Sequence, residues 1–337
     1  APAVKPKALS DNVKKGLAWI VQHQNEDGGW SQGEESPSMG ASGKSLKDSS
    51  DVGDTCMAAL ALVRSGSTPS KGDYAKNILA GAMYVCKEVE ASDEKSLWVT
   101  QVKGTRIQQK LGQYIDTFLA SLLLAEVRGQ MPDKKGEKMV LAALDKVMDK
   151  IEKNQKADGT FGDKDGWAND LSVAMSGKAL NRAAQNGVQV SEQVRARVEK
   201  NAQARYDHKS GKFKAGSSAG VELYASGASL AQMQDSDNTS RDKLPELKML
   251  AKEGRTESER QYAQTRIQEI ATNATALEAA KAAIVAKAAD GKFIAGFGSN
   301  GGEEFLSYMN IGESLVVNGG DAWEKWDKQT SENLNHI

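Results

Sequence analysis

The feature that most constrains the fold is a repeat in which an acidic residue opens a helical run rich in alanine and leucine. Three copies share register as well as composition: DTCMAALALVRSG at 54–66, DTFLASLLLAEVRG at 116–129 and DLSVAMSGKALNRAAQNG at 170–187. Two looser copies open at Glu222 and Glu304. A repeat spaced by tens of residues indicates one helical unit that is stacked several times.

A second helix and a turn with an aromatic residue precede most of these runs. Apolar residues at helical spacing predict an amphipathic helix over 10–24, and the turn Asp27-Gly28-Gly29-Trp30 ends it. The same order returns in 136–155, which leads to Asp158-Gly159-Thr160-Phe161. We expect the turn aromatics to hold the two helices of a unit together. They are Trp30, Phe161, Phe213 and Phe293.

Capping residues mark several helix ends. Thr256-x-x-Glu259 and Asn300-x-x-Glu303 resemble capping boxes. Three glycines stand where a helix commonly ends in a left-handed residue. These are Gly66, Gly129 and Gly187.

The distribution of charge predicts two layers of helices. The first helix of each unit is charged and can face water, whereas the second is apolar around most of its circumference and must be enclosed. The sequence therefore predicts an all-α fold, an α/α toroid of helix hairpins with an insertion in 241–269. The outer helices are expected at 10–24, 73–90, 136–154, 191–206, 256–288 and 322–336, and the inner ones at 51–65, 114–128, 168–186, 220–233 and 302–316.

We interpret residues 1–337 as one repeat domain with an N-terminal tail over 1–9. The repeats run over 10–66, 73–129, 136–187, 191–235 and 256–318, followed by a partial copy at 321–337. Six outer helices against five inner ones leave the last repeat incomplete, so we expect the protein to continue past Ile337. Trp323 and Trp326 are then expected to pack against the missing repeat or a partner.

Composition excludes two classes of partner. A formal net charge of −1 gives no basic field for nucleic acid. No apolar run is long enough to predict a transmembrane segment. The opening APAVKPKALS resembles what remains after a signal sequence is removed, so we expect an exported protein, periplasmic or extracellular. Cys56 and Cys86 are then either a disulfide or two buried free thiols.

Two turn motifs carry a resemblance to a known superfamily. QNEDGGW at 24–30 resembles the QW-type motif of the squalene–hopene cyclase, prenyltransferase and terpenoid-cyclase α/α-toroid superfamily. QKADGTF at 155–161 is similar, with phenylalanine in place of tryptophan. The resemblance implies the toroid fold but no single chemistry, because the superfamily also includes thioester domains and vitamin-binding proteins.

The segment DVGDTC at 51–56 resembles the D-x-D-D-T-A signature of class II cyclases. The resemblance implies that the middle aspartate would protonate the substrate, but here that position is Gly53. A glycine supplies no proton, and a chain with 6% aromatic residues has few rings to stabilise a carbocation. We expect no class II cyclase activity, and Asp51 and Asp54 remain as candidate catalytic residues.

Asp54 and Cys56 also resemble the D-x-C half of the zinc site in protein prenyltransferase β subunits. Zinc needs a further ligand, commonly histidine. The histidines are His23, His208 and His336, and none of them opens an inner helix. Zinc therefore stays a candidate cofactor only with a ligand from beyond residue 337. A Cys-x-Glu-Gln thioester signature is absent from the sequence.

The repeated acids have two interpretations. Stacked repeats place them at one end of a barrel beside aromatic residues, where carboxylates and rings suit a sugar, a polyol, an organic cation or another protein chain. Alternatively, each acid stabilises a helix N-terminus by about 0.3–1 kcal/mol without any ligand. The candidate ligand-binding residues are Asp54, Asp116, Asp170, Glu222, Glu304, Tyr114, Trp167, Tyr224 and Tyr308, with Asp51, Glu303 and Phe305 nearby.

These observations favour a binding protein without cyclase activity. The alternative is an enzyme on the same scaffold, either a degenerate terpene cyclase or prenyltransferase relative, or a carbohydrate-active enzyme with two of the acids as its catalytic pair. A third hypothesis is a scaffold whose open last position accepts another chain.

Overall fold

The structure, a computed structural model, describes residues 4–33, 46–162, 166–207, 209–216, 218–298 and 301–335. Over these ranges the chain forms thirteen α-helices and one hairpin of two short strands, so the all-α prediction is confirmed. In chain order they are α1 (Asp11–Gln22), α2 (Val52–Arg64), α3 (Ala75–Ala91), α4 (Arg106–Leu111), α5 (Ile115–Val127), α6 (Lys134–Asn154), α7 (Asn169–Gln185), α8 (Glu192–Arg205), β1 (Tyr206–Asp207), β2 (Lys212–Phe213), α9 (Glu222–Glu253), α10 (Glu257–Lys287), α11 (Gly291–Ala295), α12 (Gly302–Val316) and α13 (Gly320–Asn335).

The chain divides into two compact units. The N-terminal unit comprises Lys5–Lys156 and Phe161–Ser191, and the C-terminal unit comprises Ala1–Val4, Ala157–Thr160 and Glu192–Ile337. The interpretation of 1–337 as one repeat domain stays a prediction. In the described part of the chain, no helix is both long and apolar enough to cross a membrane.

Helix α5 forms the centre of the N-terminal unit. It packs against α2 on one side and α7 on another, while α6 also lies against it and α3 pairs with α2 and α6. Every residue from Ile115 to Val127 except Glu126 is buried. This is the enclosure that its apolar circumference predicts, and each fully buried leucine contributes about 1.5–3 kcal/mol.

Trp30 connects three helices of the N-terminal unit. Its indole Nε1 donates to the carbonyl of Ile20 in α1 at 2.8 Å, and its backbone N–H donates to Thr55 Oγ1 in α2 at 2.8 Å. Its ring lies against Gly81 of α3, where an added Cβ would stand 3.0 Å from the ring. Phe161, Phe213 and Phe293 are buried as well. All four turn aromatics therefore belong to the packed interior of their units.

Helix α9 corrects the prediction for the C-terminal unit. The sequence predicted an inner helix that ends at 233 and an insertion that starts at 241, but α9 is one helix of 32 residues with Pro245 inside it. The prediction was wrong because the many charged residues in 241–253 obscured the helical spacing of its apolar residues. Leu247 is buried with Ala263 and Ile270 of α10 in one cluster, and neighbouring leucines pack on it. That packing offsets the backbone hydrogen bond that a proline removes.

Several predicted helix ends are confirmed. Gly66, Gly129 and Gly187 have φ of 106°, 76° and 79°. Thr256 and Glu259 form a reciprocal capping box, with donor–acceptor distances of 3.1 and 2.9 Å. The proposed box at Asn300 and Glu303 starts outside the described residues, and it is Glu304 that accepts a backbone hydrogen bond there.

Candidate functional site

Asp51 lies immediately before α2 and caps it. Its carboxylate accepts a hydrogen bond from the backbone N–H of Asp54 at 2.8 Å. Its own N–H donates to the carbonyl of Trp30 at 2.9 Å, and the residue is 1% exposed. A cap of this kind stabilises a helix by about 0.5–2 kcal/mol, so Asp51 has a structural role that is sufficient to explain its presence.

Asp116 opens α5 but binds the start of α2. One carboxylate oxygen accepts from the backbone N–H of Gly53 at 3.0 Å, and the other accepts from the side-chain amide of Gln108 at 2.9 Å. Asp116 is 1% exposed. The first N–H groups of a helix have no partner within the helix, so this carboxylate satisfies one of them from a neighbouring helix.

Gly53 sits where a side chain has no room. A Cβ built there would lie 2.9 Å from Ile107 Cγ2 and 3.3 Å from a carboxylate oxygen of Asp116. In the class II cyclase signature that DVGDTC resembles, this position carries the acid. Here the space is taken by Ile107 of α4 and by the Asp116 carboxylate.

The carboxyl groups of Asp51, Asp54 and Asp116 share one buried region. Burial, followed by the charges of Asp54 and Asp116, raises the pKa of Asp51 well above its usual range. Burial raises the pKa of Asp116 to about 6, even though the hydrogen bonds from Gln108 and from backbone N–H groups lower it. Both groups therefore hold a proton to higher pH than an exposed aspartate does.

An aromatic edge adjoins this region in the N-terminal unit. Tyr114 and Trp98 pack edge to face with centroids 5.2 Å apart, and the Lys103 ammonium lies 4.5 Å from the centre of the Trp98 ring. A small cavity of about 20 Å³ opens beside Tyr114, and its lining includes Phe161, Gln113 and Asn169. It holds about one water-sized group. Trp167, which is 38% exposed, follows Gly166, where an added Cβ would stand 2.6 Å from the backbone N of Gly112 in the cavity wall. We call these residues together with Trp167 the aromatic edge.

The remaining predicted acid of the N-terminal unit is Asp170. It lies in the first turn of α7 and is 1% exposed, so its carboxylate is not at the surface. The structure thus brings Asp51, Asp54 and Asp116 together, and it places Tyr114 and Trp167 close to their helix starts.

In the C-terminal unit Glu304 joins α12 to α9. Its carboxylate accepts from the hydroxyl of Tyr224 at 2.5 Å and from the backbone N–H groups of Phe297 and Gly301, both at 2.9 Å. Burial alone would raise the pKa of Glu304. The hydrogen bonds from Tyr224 and the backbone lower this pKa by more, so it lies below its usual value. Tyr224 is fully buried, and burial together with this carboxylate raises its pKa.

The other predicted residues of this unit also make structural links. Glu222 of α9 forms an ion pair with Lys287 of α10. The Tyr308 hydroxyl donates to the carbonyl of Ile294 at 2.6 Å, and Tyr308 is 4% exposed. Glu303 is buried, while Phe305 is 41% exposed.

Helix α4, which the repeat pattern did not predict, supplies Gln108 and Ile107 to the Asp116 region. A signal was present, because Thr105 and Gln108 form a capping box that opens α4. The segment 97–113 is too short and irregular to match the repeat, so the repeat pattern did not predict a helix there.

The side chains do not fit a zinc site at Asp54 and Cys56. No group of three potential ligands comes together within the residues that the structure describes. Cys56 and Cys86 are buried free thiols. Burial raises the pKa of Cys56 well above its usual range and that of Cys86 to about 12, which disfavours the thiolate that binds zinc. His23 directly follows α1, and its ring contacts the Trp19 carbonyl, while His208 and His336 lie outside the described residues.

Neither a scan against protein-family models nor searches of curated proteins and of solved structures found a match to this chain. The resemblance to the terpenoid-cyclase superfamily therefore stays a prediction from the QNEDGGW, QKADGTF and DVGDTC segments.

Proposed function

We propose that this chain is a helical-repeat binding protein that takes a ligand at the aromatic edge and has no class II cyclase activity. One contrast carries the proposal. The carboxylate of Asp116 is buried and accepts hydrogen bonds from residues of two other helices, whereas 38% of the Trp167 surface is exposed. The groups that the aromatic edge presents to a ligand are rings, the amides of Gln113 and Asn169, and the Lys103 ammonium.

The chemistry of the aromatic edge suits a neutral, hydroxyl-rich ligand such as a sugar or a polyol. Ring faces stack on the C–H surface of such a ligand, while the amides of Gln113 and Asn169 offer both donors and acceptors. The cavity between them has room for a single hydroxyl group. A ligand that inserts one such group would rest its remaining surface on Trp167.

Isothermal titration calorimetry with a panel of neutral oligosaccharides and polyols tests this proposal. We expect one class to bind, and Trp167→Ala to weaken it at least about tenfold, which is about 1.4 kcal/mol, because tryptophan is enriched among the few contact residues that dominate a binding energy. Phe297→Ala is the control, since this ring is 61% exposed in the other unit. A panel without any binder, or an equal loss in both variants, would contradict the proposal.

A second candidate function is an enzyme with Asp51 as a proton donor. The raised pKa of Asp51 favours it, because shifted pKa values cluster at functional sites. The test is product analysis by mass spectrometry after incubation with polyenes, isoprenoid diphosphates and aryl glycosides. Asp51→Asn keeps a capping side chain, so a turnover that this variant abolishes at unchanged melting temperature would establish the enzyme.

We also propose that the helix hairpins close into the α/α toroid of the terpenoid-cyclase superfamily, and that the protein is exported. Apart from α9 and the unpredicted α4, the near match between predicted and observed helix bounds supports the first statement. The opening APAVKPKALS supports the second. Cryo-electron microscopy of the full protein and fractionation of its natural source would test them.

A further inference from the structure

An irregular segment of the N-terminal unit carries Trp98 to the aromatic edge. We call residues 92–98 the strap; they follow α3 directly and contain neither helix nor strand. Leu97 of the strap is 2% exposed, and its carbonyl accepts from the Thr117 hydroxyl of α5 at 2.5 Å. Buried carbonyls in a segment without regular structure need donors from elsewhere in the fold.

One face of α6 supplies further donors to the strap. Lys146, Lys150 and Asn154 succeed one another at intervals of four residues, which aligns them in a row along the helix. The Lys146 ammonium donates to the carbonyl of Ser92 at 2.7 Å, and the Asn154 amide donates to that of Lys95 at 3.1 Å. The two outer side chains of the row therefore hold the first half of the strap.

Lys150, in the middle of the row, holds the second half. Its ammonium donates to the carbonyl of Ser96 at 2.8 Å and to that of Trp98 at 2.9 Å. The Lys150 side chain is 1% exposed, and a carboxylate oxygen of Asp93 lies 4.0 Å from its ammonium. A buried ammonium is costly unless hydrogen bonds and opposite charge compensate it, so the lysine and the strap depend on each other.

The Trp98 carbonyl that Lys150 binds belongs to the residue whose ring forms one side of the aromatic edge. That ring packs edge to face on Tyr114 with centroids 5.2 Å apart, and the Lys103 ammonium lies 4.5 Å from its centre. A tryptophan ring is joined to its backbone by only two rotatable bonds. Displacement of the Trp98 backbone would therefore move the ring away from both contacts.

We propose that Lys150 is a positioning residue of the aromatic edge, which fixes the strap so that the Trp98 ring keeps its place beside Tyr114 and Lys103. The placement of this ring is a property of the N-terminal unit alone. Its use by a ligand rests on the function proposed above, so the two are measured separately.

Near-UV circular dichroism tests the placement of Trp98, because this signal depends on the fixed packing of aromatic rings. The spectrum of each protein minus that of the same protein with Trp98→Phe isolates the contribution of Trp98. Lys150→Met keeps the apolar stem and removes both hydrogen bonds, so we expect this contribution to fall to about half or less. Lys153→Met is the matched control on α6, since Lys153 pairs with Asp149 at the surface, and it should leave the contribution unchanged.

Lys150→Gln is a milder second variant, because its amide is one bond shorter than the lysine and cannot keep both hydrogen bonds. Hydrogen exchange followed by mass spectrometry separates a local effect from a global one. In either variant we expect residues 97–102 to exchange at least about tenfold faster while α6 stays protected.

Three results would overturn the placement role. One is an unchanged Trp98 contribution in a folded Lys150 variant, and another is an equal rise of exchange in the strap and in α6. The third is failure of both variants to fold, because a lysine that the whole unit requires is not specific to Trp98.

Calorimetry with the panel of neutral oligosaccharides and polyols tests the use of the ring. We expect the class that binds the wild type to bind the folded Lys150 variant at least about tenfold more weakly, and Lys153→Met equally well. A wild type that binds no member contradicts the proposed function, while circular dichroism still decides the placement of Trp98. Equal affinity for the wild type and the Lys150 variant would overturn the role of Lys150 in binding and leave the proposed function standing.

Discussion

The carboxylate of Asp116 accepts a hydrogen bond from the backbone N–H of Gly53 at 3.0 Å, although 63 positions separate the two residues in sequence. The bond joins the first turns of α5 and α2. The bond also explains why an acid and a glycine occupy these positions. The aspartate supplies the acceptor that the Gly53 N–H lacks within α2, and the glycine leaves space for the carboxylate.

Removing the Asp116 carboxylate should destabilise the N-terminal unit. Asp116→Ala leaves the Gly53 N–H without an acceptor and removes one of the two acceptors of the Gln108 amide, which also donates to the Val102 carbonyl at 3.1 Å. Unsatisfied buried donors cost about 1–3 kcal/mol each. Asp133→Ala is the control, because Asp133 makes one exposed cap bond to Gly136 at 2.7 Å and its loss should cost about 1 kcal/mol. Urea denaturation measures both, and equal losses would show that the Asp116 bonds add nothing to an ordinary cap.

A side chain at Gly53 should be costly for steric reasons. Gly53→Ala brings a methyl group to 2.9 Å from Ile107 Cγ2, and such overpacking costs about 1–3 kcal/mol. Gly302→Ala, with nothing within 4 Å, should be neutral or stabilising. Adding Ile107→Ala should make the Gly53→Ala step less costly in thermal unfolding. An unchanged cost would indicate that Ile107 is not the obstacle.

The raised pKa of Asp116 predicts a dependence of stability on pH. Its value of about 6 in the folded protein lies above the ordinary value of 3.8, so the folded state binds the proton more tightly. The contribution of this group to stability is complete below about pH 4, declines as the pH rises and is lost above about pH 6.

The difference in free energy of unfolding between the wild type and Asp116→Asn cancels the contributions of carboxyl groups that do not interact with Asp116. We expect the wild type to lose stability relative to the variant between about pH 4 and 6, and the difference then to level off. Asp51 contributes in the same direction, because the charge of Asp116 helps to raise its pKa and the variant removes that charge. A wild type that gains stability relative to Asp116→Asn as the pH rises through this window would contradict the assignment.

The Tyr224 hydroxyl should stabilise the C-terminal unit. Tyr224→Phe removes the buried hydrogen bond to Glu304, and such a bond to a charged group contributes about 1.5–3 kcal/mol. Tyr262→Phe makes the same chemical change at an exposed bond to Glu192, where we expect a much smaller loss. Thermal unfolding of the two variants compares them directly, and a similar loss in both would argue against the importance of burial.

The two cysteines should react slowly in the folded protein. Cys56 is 0% and Cys86 is 2% exposed, and the raised pKa of each thiol keeps it protonated. We expect a thiol reagent to label both only after addition of denaturant. Mass spectrometry without reducing agent is the check on their state, since a mass lower by two hydrogens would reveal the disulfide that the sequence left open.

Helix positions were accessible from the sequence because they depend on periodic burial. The prediction of 114–128 for α5 and of 302–316 for α12 agrees closely with the structure, because apolar residues run almost unbroken through the first segment and recur at short intervals in the second. Prediction failed at 241–253, where α9 continues. There the charged residues outnumber the apolar ones, and the helix is stabilised by contact of Leu247 with α10.

The candidate site shows the same division. The sequence by itself determined which residue types open each helix, and it identified both a binding and a capping interpretation for the acids. The tertiary structure decided how each acid is used, because a carboxylate acquires its role from donors that other helices bring to it. Asp116 meets Gly53 and Gln108, Glu304 meets Tyr224, and neither pairing follows from spacing along the chain. Local pattern determines where helices form, whereas distant donors, burial and the space left by neighbours determine what their side chains can do.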